Sequence, residues 1–469
     1  MRRIALLLAG LALVAGSLPL FSREAKPDEH MKGAFRRPTE NGWIYVHLEG
    51  TPFEMGYQHG YLLAPEIEDE AKVEALEQTH DGKKDWNFFR NAAKGMMWPH
   101  IEQQYREELQ GIAEGLKAKG VKLDIWDVVA LNGAEEWGYY VKEYDRKHRP
   151  EASASLALPE HCSAFVATGS YTKDGKVIIA HNNWTSYLDG ERWTIIFDIA
   201  PASGRRILMD SFPGAIHSAD DFAINSAGIM ITETTISQFS GYDPNGIPEF
   251  VRARKAMQYA TSIDDFARIM KEGNNGGYAN TWLVADRRTN EIASLELGLK
   301  NVTLLRKSDG YFVGSNFPAN PRLVKEETNF DVKDLANSAN ARRVRWEQLI
   351  AEYKGRIDIV AAEGFLADHY DTFEKKEDAD ERTLCGHIDL SSRGMAHWQP
   401  PYGTAGAVQN KVADATMAER MSFTAARGHA CGINFKAAEY LRKHPEFSWE
   451  KPLLRDMDAY PWTIFSIAP

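Results

Sequence analysis

Three cysteines, Cys162, Cys385 and Cys431, and the polar run His181-Asn182-Asn183-Trp184 are the side chains best suited to covalent chemistry. A thiol attacks carbonyl carbon only when a base takes its proton. Cys162 stands where the chain changes character. Residues 145–160 are charged, then small and polar, and read as an exposed flexible segment. Ser163 to Ala167 reads as a strand, Asp174-Gly175 as a turn, and Val177 to Asn182 as the returning strand. That hairpin would bring His181 and Asn182 beside Cys162. If the bond between His161 and Cys162 were cut, Cys162 would gain a free α-amine. Such an amine titrates at about 7.7–8.0, close to the best value for a base at neutral pH. The competing structural readings are a buried inert cysteine, a satisfied histidine at a strand end, and asparagines that cap a turn.

Other chemistries lack their residues. There is no G-x-S-x-G elbow, no H-E-x-x-H, no paired C-x-x-C, no P-loop and no dinucleotide fingerprint. The expectation is therefore no metal and no cofactor. A net charge of -11 argues against a nucleic-acid partner, which needs clustered Lys and Arg. Met1-Arg2-Arg3 followed by an apolar run to Phe21 reads as a signal peptide over residues 1–22, so export is expected. In an exported chain three cysteines leave one thiol over. Cys385 and Cys431 are expected to pair as a disulfide, leaving Cys162 free.

The surrounding elements must position this centre. Hydrophobic residues at 43% and charged residues at 26% over 469 positions place the chain among globular proteins with a sizeable core. Residues 23–40 read as a linker and residues 43–150 as mostly helical, with Glu54 to Glu77 and Ile101 to Ala118 the clearest cases. After the hairpin, strands are expected near Trp193–Ile199, Arg206–Asp210, Gly228–Thr235, Thr281–Asp286, Ile292–Glu296 and Val302–Leu305. A helical stretch, Glu249 to Glu272, interrupts them. Grouped strands with flanking helices predict α+β layers.

Several stretches together carry a resemblance. They are Leu48 to Gly60, Cys162-Ser163-Ala164, Ala180 to Trp184, Ser211-Phe212-Pro213-Gly214, Ser218 to Phe222, and Glu233-Thr234-Thr235. With these, the chain resembles the phospholipase B-like proteins. It is also similar to the wider group of autoproteolytic N-terminal-nucleophile (Ntn) acyltransferases and hydrolases, including the penicillin acyltransferase type and, more distantly, bile-salt hydrolases. The resemblance implies a four-layer αββα sandwich. It implies self-cleavage between His161 and Cys162, giving chains 23–161 and 162–469 that stay associated. It implies an oxyanion donor, matched best by Asn280, and a later arginine among Arg342, Arg343 and Arg345, of which Arg342 is favoured. The Arg and Asp that bile-salt hydrolases carry near the nucleophile have no direct counterpart, since those positions fall near His181 and Trp184.

Catalytic roles are thus expected for Cys162, His181, Asn182, Asn280 and Arg342. Trp184 and Thr235 are expected to bind substrate, with Tyr187 and Trp193 as further candidates for an acyl pocket. Glu54, Tyr57 and His59 are read as structural. The expected reaction is hydrolysis of an acyl amide or a lipid ester through a Cys162 acyl-enzyme. The alternatives are acyl transfer to an amine, or a secreted binding protein of the same fold without catalysis. A serine lipase would need a triad that the sequence does not offer.

Overall fold

The computed structural model describes residues 28–148, 162–219 and 222–468. The expected signal segment and His161 lie outside them. In chain order the strands are β1 (Phe35–Arg36), β2 (Ile44–Gly50), β3 (Ser163–Thr168), β4 (Ile178–Ser186), β5 (Ile195–Pro201), β6 (Ile207–Ser211), β7 (Ala223–Asn225) and β8 (Ile229–Thr235). Then come β9 (Asn280–Asp286), β10 (Glu291–Leu297), β11 (Val302–Lys307), β12 (Gly310–Gly314), β13 (Tyr370–Asp371), β14 (Lys376–Glu377), β15 (Ala405–Asp414), β16 (Ser422–Arg427) and β17 (Thr463–Ser466). A nine-stranded sheet runs β1-β2-β5-β6-β7-β8-β9-β10-β11, and a six-stranded sheet runs β12-β3-β4-β15-β16-β17.

The alternation of each strand explains the layering, because successive side chains point to opposite faces. In β5, Ile195, Phe197 and Ile199 pack outward against helices, while Ile196 packs inward. In β3 and β4, Ala164, Val166 and Ile179 face the nine-stranded sheet, while Phe165, Ala167, Ile178 and Ala180 face Trp346, Leu349 and Phe365 of the helices Ser338–Glu352 and Ile359–Leu366. The result is helices, sheet, sheet, helices: the αββα order.

Residues 43–148 are less uniformly helical than expected. Ile44–Gly50 is a strand that pairs in parallel with β5, from Ile44 opposite Ile195 to Gly50 opposite Pro201. Its residues Tyr45 to Leu48 are all buried, so the clean alternation that would have marked it is blurred by His47. The segment before Cys162 is therefore woven into the larger sheet. The stretch Glu249 to Glu272 is two helices, Glu249–Tyr259 and Ile263–Lys271, because Ser262 starts a new one by capping the Asp265 N–H.

Helices Pro52–Leu62 and Gln103–Ala118 cross at glycines on both sides. A Cβ on Gly111 would sit 2.3 Å from the Phe53 carbonyl oxygen, and one on Gly60 would sit 2.1 Å from that of Ile112. Backbones this close leave no room for a methyl group. Gly111→Ala should therefore cost about 1–3 kcal/mol through forced separation of the helices. Gly364→Ala, with open space around the new Cβ, should be neutral or slightly stabilising. Urea denaturation of both variants checks this; equal stabilities would contradict the packing argument.

Candidate functional site

Cys162 immediately precedes β3, is fully buried, and has φ of 87°. A non-glycine residue in that region stores backbone strain, a recurring feature of functional positions. Its thiol donates to Asn183 Oδ1 at 3.3 Å. Its Sγ, a ring nitrogen of His181 and a carboxylate oxygen of Glu233 all lie within 4.8 Å of one another. Glu233 comes from β8 in the opposite sheet and accepts from the Tyr278 hydroxyl at 3.1 Å. The site thus lies where the two sheets face each other.

The hairpin sets the angular positions. Ala164 pairs with His181 and Ser163 with Asn182. Alternation on β4 sends His181 and Asn183 to the inter-sheet side and Asn182 and Trp184 to the other. Asn182 is accordingly turned away from the thiol. Its Nδ2 donates to the carbonyls of Leu366 and Leu384 at 3.2 and 3.0 Å, and its Oδ1 accepts from Trp184 Nε1. The catalytic role expected for Asn182 is corrected: it braces loops behind β4. Asn183, in the same polar run but with no catalytic role expected of it, is the amide at the thiol.

Arg342 lies against Cys162 and is fully buried. Its Nη1 donates to the Cys162 carbonyl at 2.5 Å and to Ser163 Oγ at 3.1 Å, its Nη2 to Asn316 Oδ1 at 2.8 Å, and its Nε to Ser338 Oγ at 3.0 Å. Arg343 pairs with Glu347 on the helix surface, and Arg345 with Asp368. Of the three arginines, Arg342 is the one that touches Cys162.

His181 is buried with neither ring nitrogen hydrogen-bonded among the described residues. Burial, and secondarily the charge of Lys411 beside it, hold its pKa well below the ordinary value, so the ring is neutral at pH 7. Lys411, opposite His181 on β15, makes a fully buried ion pair at 2.5 Å with Asp210 of β6 in the other sheet. Asn280 begins β9, opposite Thr235 of β8, and its side-chain amide is buried with no hydrogen-bond partner among the described residues. Thr235 Oγ1 is likewise unpartnered, while its carbonyl holds Asn316 Nδ2 at 2.8 Å. Buried polar groups without partners are uncommon and costly, and among the described residues the His181 ring beside the thiol and the Asn280–Thr235 pair at the ends of β9 and β8 are of this kind.

Trp184 is corrected as a substrate contact. Its ring lies 4.3 Å under the Arg342 guanidinium and is packed against Gly386, Ile388 and Met395. Tyr187 and Trp193 are also used structurally, donating to Asp389 and Glu70. The expected Cys385–Cys431 disulfide is not formed: both residues are thiols, and both sulfurs lie near His387 Nε2. A cavity of about 530 Å³ opens between the edges of the two sheets, lined by Thr281, Leu305, Tyr311, Phe312, Val313 and Phe317. It begins one residue beyond Asn280 and one beyond Asn316.

The structural reading of Glu54, Tyr57 and His59 fits their contacts. Glu54 completes a capping box with Thr51, Tyr57 donates to Asp28, and buried His59 accepts the Gly214 N–H at 2.9 Å. Two motif stretches, one on each side of Cys162 in sequence, thus bond directly to each other.

Layering and site together define a four-layer αββα protein with a buried, cysteine-centred polar site. The family model described as Phospholipase B matches residues 66–460, and the chain belongs to that family. It is 25% identical over 433 residues to human phospholipase B-like 1, covering 80% of this chain and 74% of that one. It is 27% identical over 263 residues to an uncharacterized protein of Archaeoglobus fulgidus, and 29% over 168 residues to the putative phospholipase B-like 2 of Bos taurus. The chain spans only 42% of the archaeal protein and 28% of the bovine one. A crystal structure of a variant of conjugated bile acid hydrolase from Clostridium perfringens aligns over 56% of this chain and 89% of its own, at 11% identity and a TM-score of 0.33. Among the described residues no helix is long and apolar enough to cross a membrane.

Two substitutions check these assignments. Asn182→Ala orphans the buried Leu366 and Leu384 carbonyls and should cost about 1–3 kcal/mol in urea denaturation. His59 has its pKa pushed down to about 3 by burial, whereas it titrates near 6.5 in the unfolded chain. Its share of the stability is therefore full above pH ~6.5 and is lost as pH falls toward its folded value, because only the unfolded chain takes up the proton. His59→Gln, which keeps an acceptor for Gly214, should flatten the fall in melting temperature between about pH 6.5 and pH 4. Parallel curves for variant and wild type would contradict the assignment.

Proposed function

We propose that this protein is an exported, autoproteolytic Ntn hydrolase that cleaves an amide or ester bond of an acyl substrate through a Cys162 acyl-enzyme. The observation that carries the reading is the buried thiol at the head of β3, in a strained backbone, with Asn183 at its sulfur and the His181 ring, unpartnered among the described residues, and the Glu233 carboxylate within 4.8 Å.

Maturation would begin with attack of the Cys162 thiol on the His161 carbonyl. The amide nitrogen leaves as the α-amine of Cys162, and water releases the thioester. Arg342, gripping the Cys162 carbonyl, would hold the backbone while the bond breaks. The chains of residues 23–161 and 162–469 would stay together through the β2–β5 pairing and the shared helical core.

In turnover, the free α-amine takes the thiol proton and the sulfur attacks the substrate carbonyl. The Asn280 amide, which has no hydrogen bond among the described residues, would donate to the oxyanion. Asn183 and Glu233 would orient the thiol and amine. The cavity beside Thr281 and Phe317 has an apolar wall along Leu305, Tyr311, Phe312 and Val313, with Glu296 and Lys307 also lining it, and has the volume for an acyl chain. Family membership supports a lipid-type acyl group; the site chemistry serves amide and ester alike, since both pass through similar tetrahedral intermediates.

Wild-type protein should run as two bands on a denaturing gel, co-elute in gel filtration, and give a second N-terminus reading Cys162-Ser163-Ala164. Cys162→Ala should remain one chain and be inactive on panels of N-acyl amides and lysophospholipids. Asn280→Ala should mature and lose about 10²–10³ in kcat. The wild-type rate should rise with pH through about 7.7–8.0, where the α-amine loses its proton. Full activity in Cys162→Ala would end the proposal.

A further inference from the structure

His369, Cys385, His387 and Cys431 present one ligand atom each, all within 4.8 Å of one another. We propose that these four side chains form a tetrahedral structural zinc site.

The distances support it. With Zn–S of about 2.3 Å and Zn–N of about 2.0–2.1 Å, a tetrahedron puts sulfur and nitrogen about 3.5–3.6 Å apart. Cys385 Sγ lies 3.6 Å and Cys431 Sγ 3.5 Å from His387 Nε2. Two sulfurs thus stand around one ring nitrogen at the spacing of a shared ion. His369 completes the set, its ring centroid 5.1 Å from that of His387, and its Nε2 is buried with no hydrogen-bond partner among the described residues.

The donor set selects the metal. Two thiolates and two imidazoles are a structural zinc set, and four protein ligands leave no open position for catalysis. Binding releases the two thiol protons. Two thiolates neutralise the dication, so the half-buried cluster carries no net charge. The outer contacts fit as well. The far nitrogen of His387, Nδ1, faces Asp389 Oδ1 at 3.8 Å, and Asp389 is held by the Tyr187 hydroxyl at 2.7 Å. A carboxylate behind a ligating histidine is the usual support for its orientation.

The site has a mechanical role in this fold. The Cys385 N–H donates to the Asp368 carbonyl, and Leu366 and Leu384, whose carbonyls hold Asn182, flank the ligand loop. Gly386, between two ligands, lies so close to Trp184 that a Cβ there would fall 2.2 Å from the indole. Cys431 follows β16 and ties the far side of the six-stranded sheet to this loop. The ion would brace β4 from behind, on the face opposite Cys162. The ligands escape short-motif recognition because they are spread over residues 369–431 and only Cys385-Gly386-His387 is local.

The test uses full-length protein purified without reductant or chelator, with any affinity tag removed. Elemental analysis should find about one zinc per chain, and Cys431→Ser and His369→Ala should each retain under a tenth of it. Non-reducing peptide maps should show Cys385 and Cys431 unlinked. If the variants misfold, wild-type protein stripped of metal and titrated with cobalt(II) should develop thiolate-to-cobalt charge-transfer absorption with one equivalent, and zinc should abolish it. A Cys385–Cys431 disulfide in metal-free protein, zinc retained in both variants, or no charge-transfer absorption from the reduced wild type would overturn the proposal. These readouts do not depend on hydrolase activity.

Discussion

The burial of the Arg342 guanidinium is the constraint around which the site is arranged. A buried cation is tolerated only when its donors are matched by well-placed acceptors. Arg342 meets that demand with the Cys162 carbonyl, Ser163 Oγ, Asn316 Oδ1 and Ser338 Oγ, and its flat face covers Trp184. One side chain therefore joins the start of β3, the loop after β12 and the helix Ser338–Glu352. Asn316 passes the constraint on to Thr235 of the other sheet. The geometry that puts strain at Cys162 is held by groups that could not relax without exposing that charge to unpaired burial.

A second constraint comes from the space between the sheets. Most of it is filled by apolar residues, many of them small or branched. The Asp210–Lys411 pair crosses the gap and keeps positive charge near His181, which favours a neutral ring over an imidazolium. A neutral imidazole can exchange a hydrogen bond with a thiol or an amine in either direction. A charged one in the same place would pull the thiol toward permanent thiolate, a different chemistry.

Behind β4 the structure is polar as well, but there the groups are satisfied or clustered for another purpose. Asn182, Trp184, Gly386 and the His387 loop form a stack beneath β4. The two faces of this one strand divide the work. The inter-sheet face presents His181 and Asn183, which have hydrogen-bonding capacity left over among the described residues, and the outer face supplies rigidity.

The sequence by itself determined the local pieces of this protein. The apolar runs on either side of Asp174-Gly175 specify strands β3 and β4, and with them the nearness of His181 to Cys162. The connection between them, residues 169–177 with a 3-10 segment at Gly169–Tyr171, is too long to fix register by itself, so the buried faces of the two strands do so. The strand runs from Trp193 to Leu305 were legible for the same reason. Their periodicity is a property of neighbouring residues. The tertiary structure decided what depends on distant partners. It chose Arg342 over Arg343 and Arg345, since three arginines on one helix differ only in the direction they face. It turned Asn182 away and Asn183 inward, because a strand's two faces acquire meaning only when the sheets stack. It made Ile44–Gly50 a strand through parallel pairing with β5, and it placed β15, whose buried Gln409, Asn410 and Lys411 disguise it, at the centre of the smaller sheet. It also brought Glu233 to the thiol, and His369 to Cys431. Such contacts join residues separated by scores of positions, and no local pattern encodes them; only the packing of complete layers brings their side chains together.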